Sequence, residues 1–172
     1  MAEPRLSRPV PRAPGVYVLL LEVRGRVVVE ARTLRAVIEP GLYAYVGSAC
    51  GPGGLRARIL RHLKRRKRVW WHIDRLTTSP NAGVLAAAYC ITDSCGPPAE
   101  AGIALCLSRR GYQPVKRFGS TDDPQAESHL YRAPPTEGLE GALADSLECL
   151  GDAAGSGKCG TSLYEGGSRS QP

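Results

Sequence analysis

The sequence predicts a small mixed α/β domain built on a largely antiparallel sheet. Three observations carry that expectation: strand-like apolar runs crowd the first fifty residues, a basic amphipathic helix follows a glycine-rich turn, and strand-like and helix-like segments then alternate to about residue 133. The architecture they imply is a central three-stranded sheet flanked by helices, with an extra β-hairpin arm. At 172 residues and 42% hydrophobic content the chain can bury one core rather than two. The expected division is a flexible N-terminal lead over 1–13, one folded domain over 14–135, and an acidic, Gly/Ser-rich C-terminal tail over 136–172.

GVYVLLLEV (15–23) is apolar and rich in β-branched residues, and RVVVEA (26–31) follows across Arg24-Gly25, so the two are expected to pair as a hairpin. LYAYVGS (42–48) is a third strand, in which alternation sets Tyr43 and Tyr45 on one face. Gly51, Gly53 and Gly54 turn the chain into a helix over about 55–68, whose Leu55, Ile59 and Leu63 repeat at i+4 as a core stripe. Arg58 and His62, also four apart, flank that stripe and can reach over the sheet. WWHIDRL (70–76) is a second short helix and VLAAAYCI (84–91) a buried central strand. AEAGIALCLSRR (99–110) is a helix introduced by Pro97-Pro98. FGSTDDP (118–124) is a loop before SHLYR (128–132), an expected edge strand. In the tail, Leu139, Leu143, Leu147 and Leu150 suggest an amphipathic helix over 137–150, and 151–172 reads as disordered.

The formal net charge of +7 favours a polyanionic partner. Residues 136–172 hold 2 basic and 6 acidic residues, leaving 21 basic against 10 acidic in 1–135, or +11. From Gly54 to Arg75 there are nine cations (Arg56, Arg58, Arg61, Lys64, Arg65, Arg66, Lys67, Arg68, Arg75) and one acid, Asp74. A helix laced with salt bridges would balance them, so contact with a phosphate backbone is expected here. Trp70 and Trp71 offer rings for base stacking, with at least one of them expected in the core. No apolar run of about 18 residues suggests a membrane span, and MAEPRLSRPVPRAPG lacks the apolar core of a secretory signal, so a soluble cytoplasmic protein is expected. The six cysteines show no CxxC spacing and are read mostly as buried thiols, with disulfides reserved for a chain from an extreme thermophile.

The glycine turn is not a nucleotide loop. Neither GxxxxGK[ST] nor GxGxxG is satisfied, because Arg56 stands at the last glycine position and no lysine follows Gly54. The joint pattern points elsewhere. GVY at 15–17, YVG at 45–47 and LRAR at 55–58, with His62 four residues on, resemble the GIY-YIG nucleases. The phrases YVGSACGPGGLRARILRHL, WHIDRL and FGSTDDPQAESHLYR are similar to the small stand-alone archaeal branch of Uri-type endonucleases. The resemblance spans most of 14–133. It implies that Tyr17 and Tyr45 line a shallow site beside Arg58, that His62 matches a histidine of many members, and that Glu100 is the single protein ligand of Mg²⁺ or Mn²⁺. The chain departs from the pattern in a longer spacing between the tripeptides, consistent with an inserted arm around 24–41, and in Ser48, which stands where some members carry lysine. It also has Asp123, Gln125 and Gly102 where relatives carry further cysteines and a second acid.

The implied activity is endonucleolytic hydrolysis of DNA, structured or damaged, as in DNA repair. Tyr45 or Tyr17 is the general base, Arg58 stabilises charge on phosphorus, and Glu100 holds the metal. Arg56, Arg61, Lys64, Arg65, Arg66, Lys67, Arg68, Trp71 and His72 are the expected nucleic-acid contacts. The competing expectation is a DNA- or RNA-binding module that keeps the fold without cleavage. RNA as substrate, a homodimer and a protein partner remain open, and no membrane association is expected.

Overall fold

The computed structural model describes residues 4–120, 125–155 and 157–165. Strand β1 (Gly15–Val23) runs through the centre of the molecule, because both sets of its alternating side chains are apolar. Tyr17, Leu19 and Leu21 enter one core, and Val16, Val18 and Leu20 enter a second core on the opposite face. β1 pairs antiparallel with β4 (Gly41–Ala49) on one side and β5 (Ala82–Ile91) on the other. β7 (Leu130–Arg132) and then β6 (Gln113–Pro114) extend the sheet beyond β4, and β8 (Cys159–Leu163) extends it beyond β5. The sheet thus has six strands in the order β6-β7-β4-β1-β5-β8. SHLYR is therefore interior at its strand residues rather than an edge.

The hairpin expected between 15–23 and 26–31 does not form, since both edges of β1 are already occupied. Instead β2 (Val27–Ala31) pairs with β3 (Leu34–Ile38) in a separate two-stranded sheet, which is the extra arm. Val29, Leu34 and Ile38 turn inward and attach the arm to the first core, while Val28 and Val37, opposite each other in register, face outward.

Two helices cover each face. α1 (Gly54–Leu63) and α2 (His72–Thr77) lay Leu55, Ile59, Leu63, Ile73 and Leu76 on the tyrosine side of the sheet. α3 (Pro97–Arg109) and α4 (Leu139–Ala154) lay Ile103, Leu107, Ala142 and Leu150 on the other. α1 ends five residues before the expected limit of 68. There Lys67 folds back, its Nζ donating to the carbonyls of Arg61 (3.1 Å) and His62 (3.0 Å), which satisfies the last turn and ends the helix.

The expected tail is largely part of the fold. α4 runs past 150 to Ala154, β8 joins the main sheet, and Leu6 bridges Tyr164, so within the expected tail 156 and 166–172 alone lie outside the described residues. The loop expected over 118–124 is described to Ser120 and again from Gln125, so Asp123 lies outside. The buried-thiol reading of the cysteines is overturned. All six are paired, Cys50 with Cys95, Cys90 with Cys159 and Cys106 with Cys149, across 45, 69 and 43 residues of sequence. The last bridge ties α3 to α4. Arg110 reinforces it by donating to Asp145 at 2.9 Å and to Glu148. No helix among the described residues is long and apolar enough to cross a membrane.

Candidate active site and its aromatic rim

Tyr17 and Tyr45 project from the same face of neighbouring strands, two register steps apart, because Tyr17 pairs with Gly47 and Leu19 with Tyr45. The glycine of YVG has a steric reason. A Cβ on Gly47 would stand 2.5 Å from both Cζ and the hydroxyl oxygen of Tyr17, so the phenol lies across bare backbone. From α1, His62 reaches down to this ring. Its Nε2 is 2.7 Å from the Tyr17 hydroxyl, and its ring lies 5.9 Å from that of Tyr45 in an edge-to-face arrangement. Arg58, one turn earlier, stacks its guanidinium 4.6 Å above the Trp71 ring. Gly53 and Gly54, at φ 82° and 57°, let the chain turn sharply enough from β4 to place α1 over the tyrosines.

Burial sets the protonation of this group. Both phenols are pushed up: burial acts most, Glu100 adds to it, and Arg58 opposes it without prevailing. Arg58 therefore does not bring either tyrosine toward a neutral pKa. His62, also fully buried, is lowered to about 3, first by burial and then by the positive charges of Lys67, Arg58 and Arg61, against the pull of Asp74. The imidazole is neutral. Its Nδ1 has no hydrogen-bond partner and is the one buried side-chain N or O atom so placed among the described residues. An unsatisfied buried polar atom costs about 1–3 kcal/mol, the kind of local cost that concentrates where function requires it.

Glu100 sits on α3 at the end of β4, among residues of the opposite sheet face. Its Oε1 accepts the Ser48 hydroxyl at 2.5 Å, and its Oε2 lies 3.6 Å from His129 Nε2. It makes no hydrogen bond with Tyr17 or Tyr45 but acts on both through charge. As a hard, partly exposed carboxylate oriented by a hydroxyl, it fits one ligand position of a Mg²⁺ or Mn²⁺ ion. No group of three or more His, Cys, Asp or Glu poised around a metal occurs among the described residues, so the rest of such a shell would come from substrate oxygens and water.

The nine cations divide into two sets. Arg61 forks onto Asp74 at 2.7 and 2.8 Å and lies 4.3 Å over Trp71 and 5.1 Å over Trp70. Arg65 donates to the carbonyls of Thr77, Ser79 and Ala82 at 3.2, 2.7 and 2.7 Å, and Lys67 closes α1 as described. These three are occupied within the fold. Burial and its cationic neighbours bring Lys67 down to about 8, against Asp74. Lys64, Arg66, Arg68 and Arg75 are exposed, and neither their charged groups nor those of Arg56 and Arg58 enter an ion pair or hydrogen bond with any described residue. His72 is likewise engaged: its Nδ1 accepts the Gly119 N–H at 2.9 Å and its Nε2 lies 3.5 Å from Thr33 on the arm.

The organising residue that the sequence reading passed over is Asp74. Fully buried, it accepts both Arg61 nitrogens and the Trp70 and Trp71 N–H groups at 2.9 and 3.0 Å. Burial raises its pKa, but these bonds reverse that and hold it at about 2. Its one visible signal was being the sole acid amid nine cations. Neither tryptophan enters the core: Trp70 is 64% exposed and Trp71 37%.

Set against known proteins, the chain matches the sequence model of a family described as domain of unknown function DUF123, over residues 16–151. No curated protein and no solved structure matches it.

Proposed function

Taking as premise that the chain belongs to the DUF123 family, a family of unknown function, we propose that it is a metal-dependent endonuclease hydrolysing phosphodiester bonds in DNA. The observation that carries the reading is the Tyr17–His62 hydrogen bond of 2.7 Å beside an unpaired Arg58. The resemblance of GVY, YVG and LRAR to the GIY-YIG nucleases supports it.

A phenol with a raised pKa carries its proton at neutral pH, so it acts as a base only by shedding that proton in the same step. Tyr17 has an acceptor in His62 Nε2, whereas no hydrogen bond from the Tyr45 hydroxyl exists among the described residues. The proposal therefore moves the base from Tyr45 to the Tyr17–His62 pair. The attacking water gives a proton to the Tyr17 oxygen, the Tyr17 proton passes to Nε2, the water oxygen bonds to phosphorus, and the P–O3′ bond breaks, the 3′ oxygen leaving and taking a proton from solvent. Arg58 donates to the developing phosphorane oxygens, and Tyr45, the more exposed phenol, donates a further hydrogen bond.

Basicity at His62 is suppressed partly by Arg58 and Arg61. A phosphate beside Arg58 neutralises part of that field, so substrate binding itself raises the proton affinity of Nε2. A divalent ion held by Glu100, with Ser48 fixing the carboxylate, would polarise the phosphate and the leaving oxygen. A cytoplasmic setting belongs to the same proposal, in a cell whose cytosol tolerates disulfides, as in extreme thermophiles.

The test is cleavage of duplex, nicked, flapped and branched DNA with Mg²⁺, comparing the wild type with Arg58→Ala, Tyr17→Phe and Glu100→Gln. Equal activity in all four proteins would remove the mechanism. The exposed Lys64, Arg66 and Arg68 equally favour a non-catalytic nucleic-acid-binding module, and salt-sensitive binding without metal-stimulated cutting would select it.

A further inference from the structure

We infer that Trp70 is a stacking platform for an unpaired base, and that the substrate is DNA carrying a single-stranded segment next to the scissile phosphate. The inference rests on the endonuclease reading and names the substrate class of that same site.

Four observations support it. First, Trp70 is the most exposed large hydrophobic side chain among the described residues, at 64%, in a stretch that also exposes Val69 and Trp71. An indole left in water loses the gain from burying one of the largest apolar side chains, and the fold supplies nothing to cover this one. Second, the ring is held rather than loose. Its backbone N–H is fixed on Asp74, the Arg61 guanidinium stands 5.1 Å from the indole centroid, and Trp71 meets it edge-to-face at 6.2 Å. Such a pre-positioned π-face takes a base of any identity without ordering cost.

Third, the platform joins the reaction centre through a row of rings. Tyr17 to His62 is 5.6 Å, His62 to Trp71 6.4 Å and Trp71 to Trp70 6.2 Å. Tyr17 and His62 are buried, so the row opens to a base at its outer end, Trp70, and a base within a stacked duplex, covered by neighbours about 3.4 Å away, cannot lay a face on that ring. An extended strand, with its bases unstacked, can. Fourth, the surrounding charge is positive. Lys64, Arg66 and Arg68 are exposed and carry no ion pair with described residues, and the one nearby acid in sequence, Asp74, is buried and neutralised by Arg61. A protein partner or a lipid surface would not require a cation-backed indole so close to a phosphate-directed arginine. An unpaired nucleotide uses both.

The experiment measures binding of the full chain, without metal, to a labelled blunt duplex and to the same duplex bearing a short single-stranded flap. Wild type, Trp70→Ala and Trp70→Phe are compared, with thermal melts verifying that all three remain folded. The expected result is that wild type prefers the flap. Trp70→Ala weakens flap binding by about 5- to 150-fold, the range for loss of one base–aromatic stack, and leaves duplex binding essentially unchanged. Trp70→Phe recovers most of the preference. Equal wild-type affinity for the two DNAs, or an equal loss on both in Trp70→Ala, overturns the inference while leaving the endonuclease reading standing. Binding to neither DNA overturns both.

Discussion

Replacing Asp74 with asparagine changes one atom and should cost about 3 kcal/mol of stability. In the native protein Oδ2 accepts from Arg61, Trp70 and Trp71, and Oδ1 accepts from Arg61 with Lys67 at 3.8 Å. An asparagine keeping its oxygen toward the three donors must turn its amide NH₂ toward the other Arg61 nitrogen and Lys67, so donor faces donor. The remaining charge-assisted bonds fall to the neutral range, a loss of about 1 kcal/mol each, and Arg61 and Lys67 keep their charges with no buried counter-ion. Breaking a buried pair in this way typically costs about 3–5 kcal/mol. Because Arg61 is about one-fifth exposed, the lower end applies. The assay is urea unfolding with the disulfides intact, comparing wild type, Asp74→Asn, Arg61→Met and the double variant. A loss below about 1 kcal/mol for Asp74→Asn, or additive losses in the double variant, would refute the account of Asp74 as the common anchor of α1, α2 and the tryptophan pair.

Stability should also depend on pH through His62. Its folded pKa, about 3, lies below the ordinary 6.5, so the unfolded chain takes up the proton first. Stability is then full above about 6.5 and falls toward 3 by about 1.4 kcal/mol per pH unit, a slope that His62→Asn should abolish in urea titrations. Asp74, lowered from 3.8 to about 2, adds a further loss as pH falls through that lower window. In cleavage assays Arg58→Ala should lower the rate by about 100- to 1000-fold, and a loss under 10-fold would assign Arg58 to binding alone. Ser48→Ala, which frees a Glu100 oxygen, should raise the Mg²⁺ concentration for half-maximal cleavage by about 10- to 100-fold, with maximal rate less affected. Of the three disulfides, Cys50–Cys95 joins an exposed to a half-exposed cysteine, and mass mapping after brief reduction should find it open before Cys106–Cys149, which includes the buried Cys149.

Much of this fold was legible in the sequence because its signals are local. The apolar runs of 15–23 and 42–48, the i+4 stripe of Leu55, Ile59 and Leu63, and Pro97-Pro98 each mark an element where one stands. Pairing was not legible. β1 takes partners that lie both after the arm and forty residues beyond it, and nothing in 26–31 says that it is excluded from that sheet. The end of α1 escaped for a related reason: Lys67 and Arg65 look like solvent-facing cations in sequence, and the carbonyls they satisfy, at the ends of α1 and α2 and around the start of β5, come within reach only in three dimensions. β8 was hidden by composition, since Cys159–Leu163 holds one large apolar residue and draws its place from pairing with β5. At the site, alternation placed Tyr45 and helical spacing placed Arg58 beside His62. The Tyr17–His62 bond and the Ser48–Glu100 contact span 45 and 52 residues and needed the folded chain.

The pairing of residues 5–7 with 163–165 carries a consequence for how this domain can be joined to other polypeptides. Leu6 bridges Tyr164, the Ser7 N–H donates to the Leu163 carbonyl at 2.8 Å, and Glu165 returns a bond to Arg5 at the same distance. Entry and exit therefore lie side by side, beyond the β8 end of the sheet order and four strands from β7, whose neighbour β4 carries Tyr45. A linker of a few residues from 165 back to 5 would close the backbone into a ring, and new ends could then be opened at the Arg32-Thr33 tip of the arm. Equally, the domain can be spliced into a surface loop of a host protein through two adjacent junctions, an insertion that separates the host's flanking residues by little more than the width of two strands.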